Sequence, residues 1–536
     1  MLSKEKALEI LEKGLKYSDA DQTELLLLEE DFYLTRFAEN IIHQNMGRAD
    51  HTVMARAVLG KKLGVAVTNK IDDEGIKKVV KDAIEIAKNQ KDDPDFVSLP
   101  KSGPAPEVQG FDKDTHNYSP DDRARGVKIS VDNSQKNNLI SAGAFQTETD
   151  VTSVANSLGI RQYFQETKAN FSLTISRDEQ SGWAQAFSRK VKNIDADKLS
   201  QIAVQKALSS AKPVELPPGE YTVILEEAAV ASFLLFLAFL GFGGKTFSEG
   251  RSFMKIGEKI TGDNITIIED PYDPVMNGMP YDYEGVTKKK VVLIENGIGK
   301  GVVYNSYYAN KNKTESTGHA LQPNNTFGPY PKNMLISPGN STLEEMIAST
   351  EKGILITHFW YINYMNPMKT QVTGTTRDGT FLIEKGKIKS AVKNMRIGQS
   401  ILEAFSNVEL MTKGRLLCPQ YGVLMYVPAM KINKFNFIGG YLIMECIVRD
   451  NACIDTVNAL QKKEKNEPKK IHPNYRTIRV GDVFPPFFPQ KKCKGFSPDP
   501  SGICLPYQLA PWLASERVLN FDSGNRVSRQ NRKWPG

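Results

Sequence analysis

The spacing of apolar residues along the first ninety residues predicts two helices with strands between them. Helical periodicity covers Lys4–Tyr17 and again Asp72–Asn89, and each segment presents one broad apolar face. Between these helices, four runs of apolar and β-branched residues predict strands: Glu24–Leu28, Phe32–Phe37, Thr52–Leu59 and Gly64–Thr68. The chain therefore opens with mixed α and β structure.

The same mixture continues to a cluster of prolines. Residues 121–193 predict a helix followed by four strands, Leu139–Thr147, Gly159–Glu166, Ala169–Ser176 and Gly182–Arg189. Asp195–Ser210 predicts another amphipathic helix. Pro213 and Pro217-Pro218-Gly219 then interrupt the pattern, so we place a domain boundary near residue 215.

Beyond the boundary, the strand Glu220–Leu225 runs directly into the apolar segment Ala228–Leu240. Thirteen residues are too few to cross about 30 Å of hydrocarbon, so we expect a buried helix and no membrane span. Strand patterns dominate from there to Phe437, with one helix near Thr342–Ser349. The predicted fold class is α+β: an N-terminal α/β domain of residues 1–214, a strand-rich C-terminal domain of residues 215–440, and a poorly ordered tail of residues 441–536.

The tail carries all of the chain's net charge of +7. Residues 441–536 hold 16 Lys and Arg against 9 Asp and Glu, whereas residues 1–440 hold 53 of each. A neutral body exerts no net attraction on phosphates, so we expect no nucleic-acid partner. The tail also holds 10 of the 28 prolines. Both a genuine extension and a frameshift product are compatible with its composition.

Candidate chemistry in residues 1–440 is sparse. Four of the five cysteines lie in the tail, so no disulfide framework holds the body. This usage and a start without a signal-peptide pattern predict a cytoplasmic protein. The remaining thiol, Cys418, is typical of a buried apolar residue, and the lone histidines His319 and His358 are typical of packed or surface residues. Glu226 and Glu227 begin the apolar helix, where acidic side chains gain about 0.3–1 kcal/mol from the helix dipole.

An ordered series of short segments resembles the TldD/PmbA family, also called modulators of DNA gyrase. The resembling segments are residues 35–40 (TRFAEN), 64–69 (GVAVTN), 155–159 (ANSLG), 218–225 (PGEYTVIL), 281–286 (YDYEGV), 293–297 (LIENG), 316–318 (STG), 380–386 (TFLIEKG) and 427–432 (VPAMKI). Together they span about residues 20–440. The resemblance implies the two-domain fold and a role in peptide hydrolysis.

The catalytic members of that family bind zinc through His-Glu-x-x-x-His on a helix and a cysteine near the C-terminus. Here Glu227 matches the glutamate of that motif, while Glu226 and Ala231 stand at the two histidine positions. Cys418 lies near the family's cysteine position. Zinc catalysis needs about three protein ligands, and this chain offers at most Glu226 and Cys418 as weak candidates, so we expect no cofactor in it.

The resemblance therefore implies a PmbA/TldE-like subunit. It would pair with a TldD-like chain, as a heterodimer or a homodimer, and that partner would supply the zinc for hydrolysis of small or unfolded peptides. Glu227 is the one candidate catalytic residue. The alternative is a peptidase or hydrolase active by itself, with a non-standard site around Glu227 and Cys418 and a histidine such as His319.

Overall fold

A computed structural model describes residues 1–440 except Ser102 and Pro104, and the predicted tail lies outside the described residues. The described residues all belong to one compact unit. Its mixed, sheet-rich architecture agrees with the predicted α+β class. The boundary near residue 215 stays a prediction, and it falls in the loop between the fifth helix and the seventh strand.

The first half is one antiparallel six-stranded sheet with helices on one face. Its strands, in the spatial order β3-β2-β1-β4-β5-β6, are β1 (Gln22–Ala38), β2 (Ile41–Leu59), β3 (Lys62–Thr68), β4 (Ile140–Asn156), β5 (Arg161–Arg177) and β6 (Gln180–Ser188). Its helices are α1 (Lys4–Lys16), α2 (Asp73–Lys88), α3 (Lys113–His116), α4 (Pro120–Lys136) and α5 (Ala196–Ser209). Two apolar clusters fill the layer between the helices and the sheet.

Several predicted strands are parts of longer ones. Glu24–Leu28 and Phe32–Phe37 belong to the single strand β1, because Glu29, Glu30 and Asp31 interrupt the apolar run without ending the hydrogen-bonded ladder. Gly159–Glu166 and Ala169–Ser176 likewise form one strand, β5. In each case the charged residues in the middle lie on a sheet rather than in a turn.

The second half holds thirteen strands: β7 (Gly219–Leu225), β8 (Ile267–Glu269), β9 (Val291–Glu295), β10 (Ile298–Gly299), β11 (Asn333–Ile336), β12 (Lys352–Asn366), β13 (Gln371–Glu384), β14 (Lys387–Ala391), β15 (Met395–Ser400), β16 (Val408–Met411), β17 (Leu416–Gln420), β18 (Val423–Val427) and β19 (Met430–Gly440). Its helices are α6 (Glu227–Gly241), α7 (Gly244–Ser248), α8 (Ser306–Lys311), α9 (Leu343–Ala348) and α10 (Ile401–Ser406). Among them, α6 spans the segment for which a buried helix is predicted.

Two sheets enclose α6. One has the order β10-β9-β8-β11-β18-β17, and the other runs β12-β7-β19-β15-β13-β14. Because β12 also pairs with β13, five strands of the second sheet close into a ring. The ring of Phe233 on α6 stacks on Phe359 and Phe435, with centroids 5.2 and 6.0 Å away. A helix that is apolar on all sides needs such burial on all sides.

The two halves meet across the second face of the first sheet. The hydroxyl of Tyr281 donates a 2.6 Å hydrogen bond to the carbonyl oxygen of Thr152 on β4. Arg56 on β2 forms ion pairs with Glu24 at 2.8 Å and with Glu284 at 3.2 Å, and all three side chains are largely buried. The halves are therefore joined by packed and charged contacts. None of the helices in the described residues is long and apolar enough to cross a membrane.

The burial of most of α6 gives a direct test of the core. Leu235 is 1% exposed, so we expect Leu235→Asp to cost several kcal/mol and to abolish the soluble fold. Leu208→Asp on α5 is the matched control, because Leu208 is 42% exposed and should tolerate the charge. Thermal unfolding and soluble yield measure both. Equal melting temperatures for the two variants would contradict a core role for α6.

Candidate functional site

The junction between β7 and α6 sets the position of the two adjacent glutamates. β7 pairs in parallel with β12, and the last matched residues are Leu225 and Ile356. The next residue, Glu226, is the N-cap of α6 in an extended conformation, and its N–H donates to the carbonyl oxygen of Ile356 at 3.0 Å. Glu227 follows as the first helical residue. The strand pairing and the apolar helix therefore hold both carboxylates at one end of the ring of strands.

The carboxylate of Glu226 is paired with a lysine from the first half. Lys206 Nζ on α5 lies 2.5 Å from Glu226 Oε2, and both side chains are less than one-fifth exposed. A largely buried ion pair of this kind leaves a costly unpaired charge when either partner is removed. Lys206 therefore neutralises Glu226 and links α5 to the start of α6.

Glu227 lies in a different environment. Burial, helped by the charge of Glu226, raises the pKa of its carboxyl to about 7, although the backbone N–H of Glu227 and the charge of Lys206 oppose the shift. A carboxyl group that titrates near neutral pH can both donate and accept a proton there. The catalytic role of Glu227 stays a prediction.

Cys418 lies close enough to Glu227 to feel its charge. The thiol is 6% exposed on β17, and burial together with the negative charge of Glu227 raises its pKa far above the usual range. Gln420, on the same strand, donates from Nε2 to Ser232 Oγ on α6 at 3.1 Å. The strand carrying Cys418 is thus fastened to the helix carrying Glu227. A protonated thiol is neither a nucleophile nor a good metal ligand.

The residues present do not fit a catalytic zinc ion. Zinc needs about three side-chain ligands, with the fourth position open. Within residues 1–440, apart from the two undescribed positions, no group of three or more His, Cys, Asp and Glu side chains could hold a metal. The carboxylate of Glu226 is paired with Lys206, and Ala231 has no donor atom.

His319 is placed among other partners. Its ring is fully buried, with Nε2 3.3 Å from Glu269 Oε1 and Nδ1 2.9 Å from Thr317 Oγ1. Burial lowers its pKa, and the charged groups that act on it are Glu269 and Lys288. These neighbours are not those of Glu227 and Cys418. Within the described part of the chain, no contact of His319 therefore joins it to Glu227 and Cys418, the two residues with which it would form the site of an independent hydrolase.

His358 lies closer to the β7–α6 junction than the sequence suggested. It follows Ile356 by two residues on β12, a rise of about 7 Å along the strand. Its ring contacts that of Trp183 on β6, with centroids 4.6 Å apart and planes tilted by 36°, and its Nε2 is 3.2 Å from Asp378 Oδ2. No local motif marks this histidine, because its neighbours come from β6 and β13. Only the strand pairing brings them together.

Glycine 182 on β6 lets α5, the helix that carries Lys206, pack closely against the first sheet. A Cβ atom at Gly182 would lie 2.2 Å from the carbonyl oxygen of Ala203 and 2.7 Å from Cβ of Lys206. The neighbouring residue on β6 is Trp183, which contacts His358. A continuous series of contacts therefore runs from Glu226 through Lys206 and Gly182 to the ring of His358.

Comparison with known families and proteins matches both halves of the chain. Residues 218–439 match the PmbA/TldA metallopeptidase C-terminal domain, and residues 24–87 match PmbA/TldA metallopeptidase domain 1. An uncharacterized protein of Methanocaldococcus jannaschii is 25% identical over 427 residues, which cover 76% of this chain and 97% of that protein. The TldD metalloprotease homolog of Buchnera aphidicola from Schizaphis graminum is 27% identical over 292 residues, covering 51% of this chain and 57% of the relative.

A solved structure shares the fold. TldE from Thermococcus kodakarensis superposes with a TM-score of 0.74 at 24% sequence identity, covering 80% of this chain and 99% of that chain. This likeness extends over both halves of the described residues. It shows the shared fold, while the two family matches confirm the family resemblance carried by the short segments of the sequence.

The raised pKa of Glu227 predicts a pH-dependent stability. In the unfolded chain a glutamate titrates near about 4.3, so between that pH and about 7 the folded protein holds a proton that unfolding releases. The folded state therefore loses stability as the pH rises through this window. The Glu227→Gln variant lacks this carboxyl group and should not lose stability in this way. We expect the difference in the free energy of unfolding, variant minus wild type, to increase by about 1–3 kcal/mol from pH 5 to pH 8.

Chemical denaturation at both pH values measures the difference. Glu351→Gln, at an exposed position, is the control and should follow the wild type at each pH. A difference between Glu227→Gln and wild type that does not change with pH would contradict the burial of this carboxyl group.

Proposed function

This chain belongs to the PmbA/TldD family of metallopeptidases, and from that premise we propose that it is the PmbA/TldE-like subunit of a cytoplasmic TldD/PmbA-type assembly. In this proposal a TldD-like chain supplies the zinc and the peptide-bond chemistry. The present chain completes the chamber and helps to hold a small or unfolded peptide in an extended conformation. The substrates are peptides, and a strand edge of this chain is a suitable place for them to pair.

The observation that carries the proposal is the pairing of Glu226 with Lys206. At the position where a zinc-binding relative has its first histidine, this chain has a carboxylate whose charge is balanced by an ammonium group at 2.5 Å. Ala231 stands at the second histidine position. An ammonium ion provides the positive charge but no open coordination position for water, so the zinc-water chemistry has to come from another chain.

A second candidate function is a hydrolase that acts without a partner. It is favoured by one observation, the pKa of about 7 for Glu227, because a general base of this kind can activate water without a metal. The protonated thiol of Cys418 and the separate surroundings of His319 remove the two other groups that such a site would use. We therefore rank it second.

Purification from the native source distinguishes the two candidates. We expect the full-length chain to bring down a TldD-like chain that carries His-Glu-x-x-x-His, identified by mass spectrometry, with zinc present in the complex. After separation at neutral pH, the present chain should hold far less than one zinc ion, and peptidase activity should follow the TldD-like chain. Elemental analysis measures the metal in each fraction.

Cys418→Ala is the control for the metal measurement, and it should leave the zinc content of the complex unchanged. Stoichiometric zinc that stays with the isolated chain after mild chelation would contradict the proposal and make Cys418 a ligand. Peptidase activity of the isolated, zinc-free chain that is lost in Glu227→Gln would favour the second candidate.

A further inference from the structure

One face of the β12–β13–β15 ribbon carries two arginines next to exposed and half-buried aromatic rings. His358 pairs with Arg377 across β12 and β13, Trp360 pairs with Thr375, and Thr375 pairs with Arg396 of β15. Directly paired residues lie on the same face of a sheet, and so do residues two apart on one strand. His358, Trp360, Arg377 and Arg396 therefore share a face, which we call the Arg377 face.

The opposite face of the same ribbon is core. Phe359 lies between His358 and Trp360 on β12, and Ile397 follows Arg396 on β15. Both pack in the apolar cluster around α6. This alternation fixes the orientation of the Arg377 face away from the core. Trp360 is 41% exposed and the side chain of Arg377 is 38% exposed, so both are accessible from solvent.

The guanidinium group of Arg377 is held in place, yet some of its hydrogen-bond donors are unused among the described residues. It lies 4.4 Å above the ring of Trp360, and its only carboxylate neighbour among the described residues is Asp378, whose Oδ2 is 3.5 Å from Nε. Asp378 already accepts hydrogen bonds from His358 and Ser181, which lower its pKa. The two terminal nitrogens of Arg377 have no hydrogen-bond partner within the described part of the chain. We call these two terminal nitrogens the fork. A guanidinium group that lies over an aromatic ring and has its fork available is preorganised to bind a carboxylate through two hydrogen bonds.

Arg396 adds a second positive charge to the same face. Its Nε donates to Thr373 Oγ1 at 3.0 Å, and no carboxylate in the described residues pairs with it. Trp183 of β6, whose ring contacts that of His358, forms a wall beside these groups. The face therefore combines aromatic surface with Arg396, which has no carboxylate partner among the described residues, and with Arg377, which shares its one carboxylate neighbour, Asp378, with His358.

The Arg377 face adjoins the junction that holds Glu226 and Glu227. Trp183 follows Gly182, which packs against α5 at Lys206, and Lys206 pairs with Glu226. A ligand on the aromatic wall would thus lie within a few residues of the site described above. The free edge of β12 runs along the same surface, because β7 pairs with β12 only as far as Ile356.

We propose that the Arg377 face binds a carboxylate of an extended peptide, with Arg377 as the main contact, Arg396 as the second cation, and Trp360 and Trp183 as the surface for the adjacent side chain. The identification of the ligand as a peptide rests on the proposed function. The carboxylate is either the C-terminus of the peptide or an acidic side chain, which present the same chemistry to the fork.

Four N-acetylated peptides distinguish these two sources. The first pair is Ala-Ala-Ala-Phe as the free acid and as the C-terminal amide, and the second is Ala-Glu-Ala-Phe amide and Ala-Gln-Ala-Phe amide. Calorimetric titration of the full-length protein measures their affinities, and quenching of tryptophan fluorescence reports contact with the wall. We expect at least about tenfold tighter binding of the carboxylate member in one of the pairs.

Variants of Arg377 test whether its guanidinium group causes the preference for the carboxylate peptide. Arg377→Gln should abolish it, and Arg377→Lys should restore only part of it because an ammonium group cannot bind a carboxylate in two places. Arg48→Gln is the matched control: Arg48 also lies over an aromatic ring, Phe32, but it is paired with Glu30 on the first sheet. This control should keep the wild-type preference.

A preference in the first pair assigns the C-terminus, and one in the second pair assigns an acidic side chain. Equal affinities within both pairs, absence of binding by all four peptides, or a preference that survives in Arg377→Gln would each overturn the proposal. Those results leave the subunit role standing, because that role is tested separately by co-purification with the TldD-like chain.

Discussion

The burial of α6 is the constraint on which the rest of the site depends. Eleven of its fifteen residues are buried, and its aromatic and aliphatic side chains each gain about 1.5–3 kcal/mol by leaving water. The packing of this helix fixes the position of its first turn, and the parallel pairing of β7 with β12 fixes the residue before that turn. The backbone of Glu226 and Glu227 is therefore positioned by the apolar core and the strand pairing, and not by contacts of the two carboxylates.

Two adjacent carboxylates in such a place cannot both remain charged without compensation. The structure resolves the conflict asymmetrically: the charge of Glu226 is balanced by Lys206, and burial raises the pKa of Glu227 to about 7. The two adjacent glutamates therefore differ in their surroundings, because only Glu226 has an ammonium group of α5 beside it.

Local pattern was sufficient to predict the elements whose apolar faces are continuous. The bounds of α6 lie within one residue of the apolar run Ala228–Leu240, and α2 lies within one residue of its predicted limits. The first eleven residues of β2 lie outside the predicted strand because they are mostly exposed on both faces and show no alternation. Their strand character comes from the ladder with β1, which no single segment reveals.

The candidate site was predictable only in part, for the same reason. Glu227 could be named from the resemblance, and its acid–base character could not, because the pKa depends on burial by residues far along the chain. The neighbourhood of Cys418 and Glu227 required the packing of β17 on α6. His358 was taken for an ordinary packed or surface histidine, since its partners Trp183 and Asp378 are distant in sequence.

The Lys206–Glu226 pair also connects the attachment of the two halves with the chemistry of the site, because it joins α5 to the start of α6. A largely buried ion pair adds little net stability, yet each partner requires the other, because a lone charge in that position costs several kcal/mol. Gly182 lets α5 pack closely on β6, and the next residue on β6, Trp183, contacts His358 of β12. The first half therefore contacts the second half both at Glu226, through Lys206, and at His358, through Trp183. A change that restored a metal ligand at residue 226 would leave Lys206 without its counter-charge, so the chemistry of the site and the attachment of the halves have to change together.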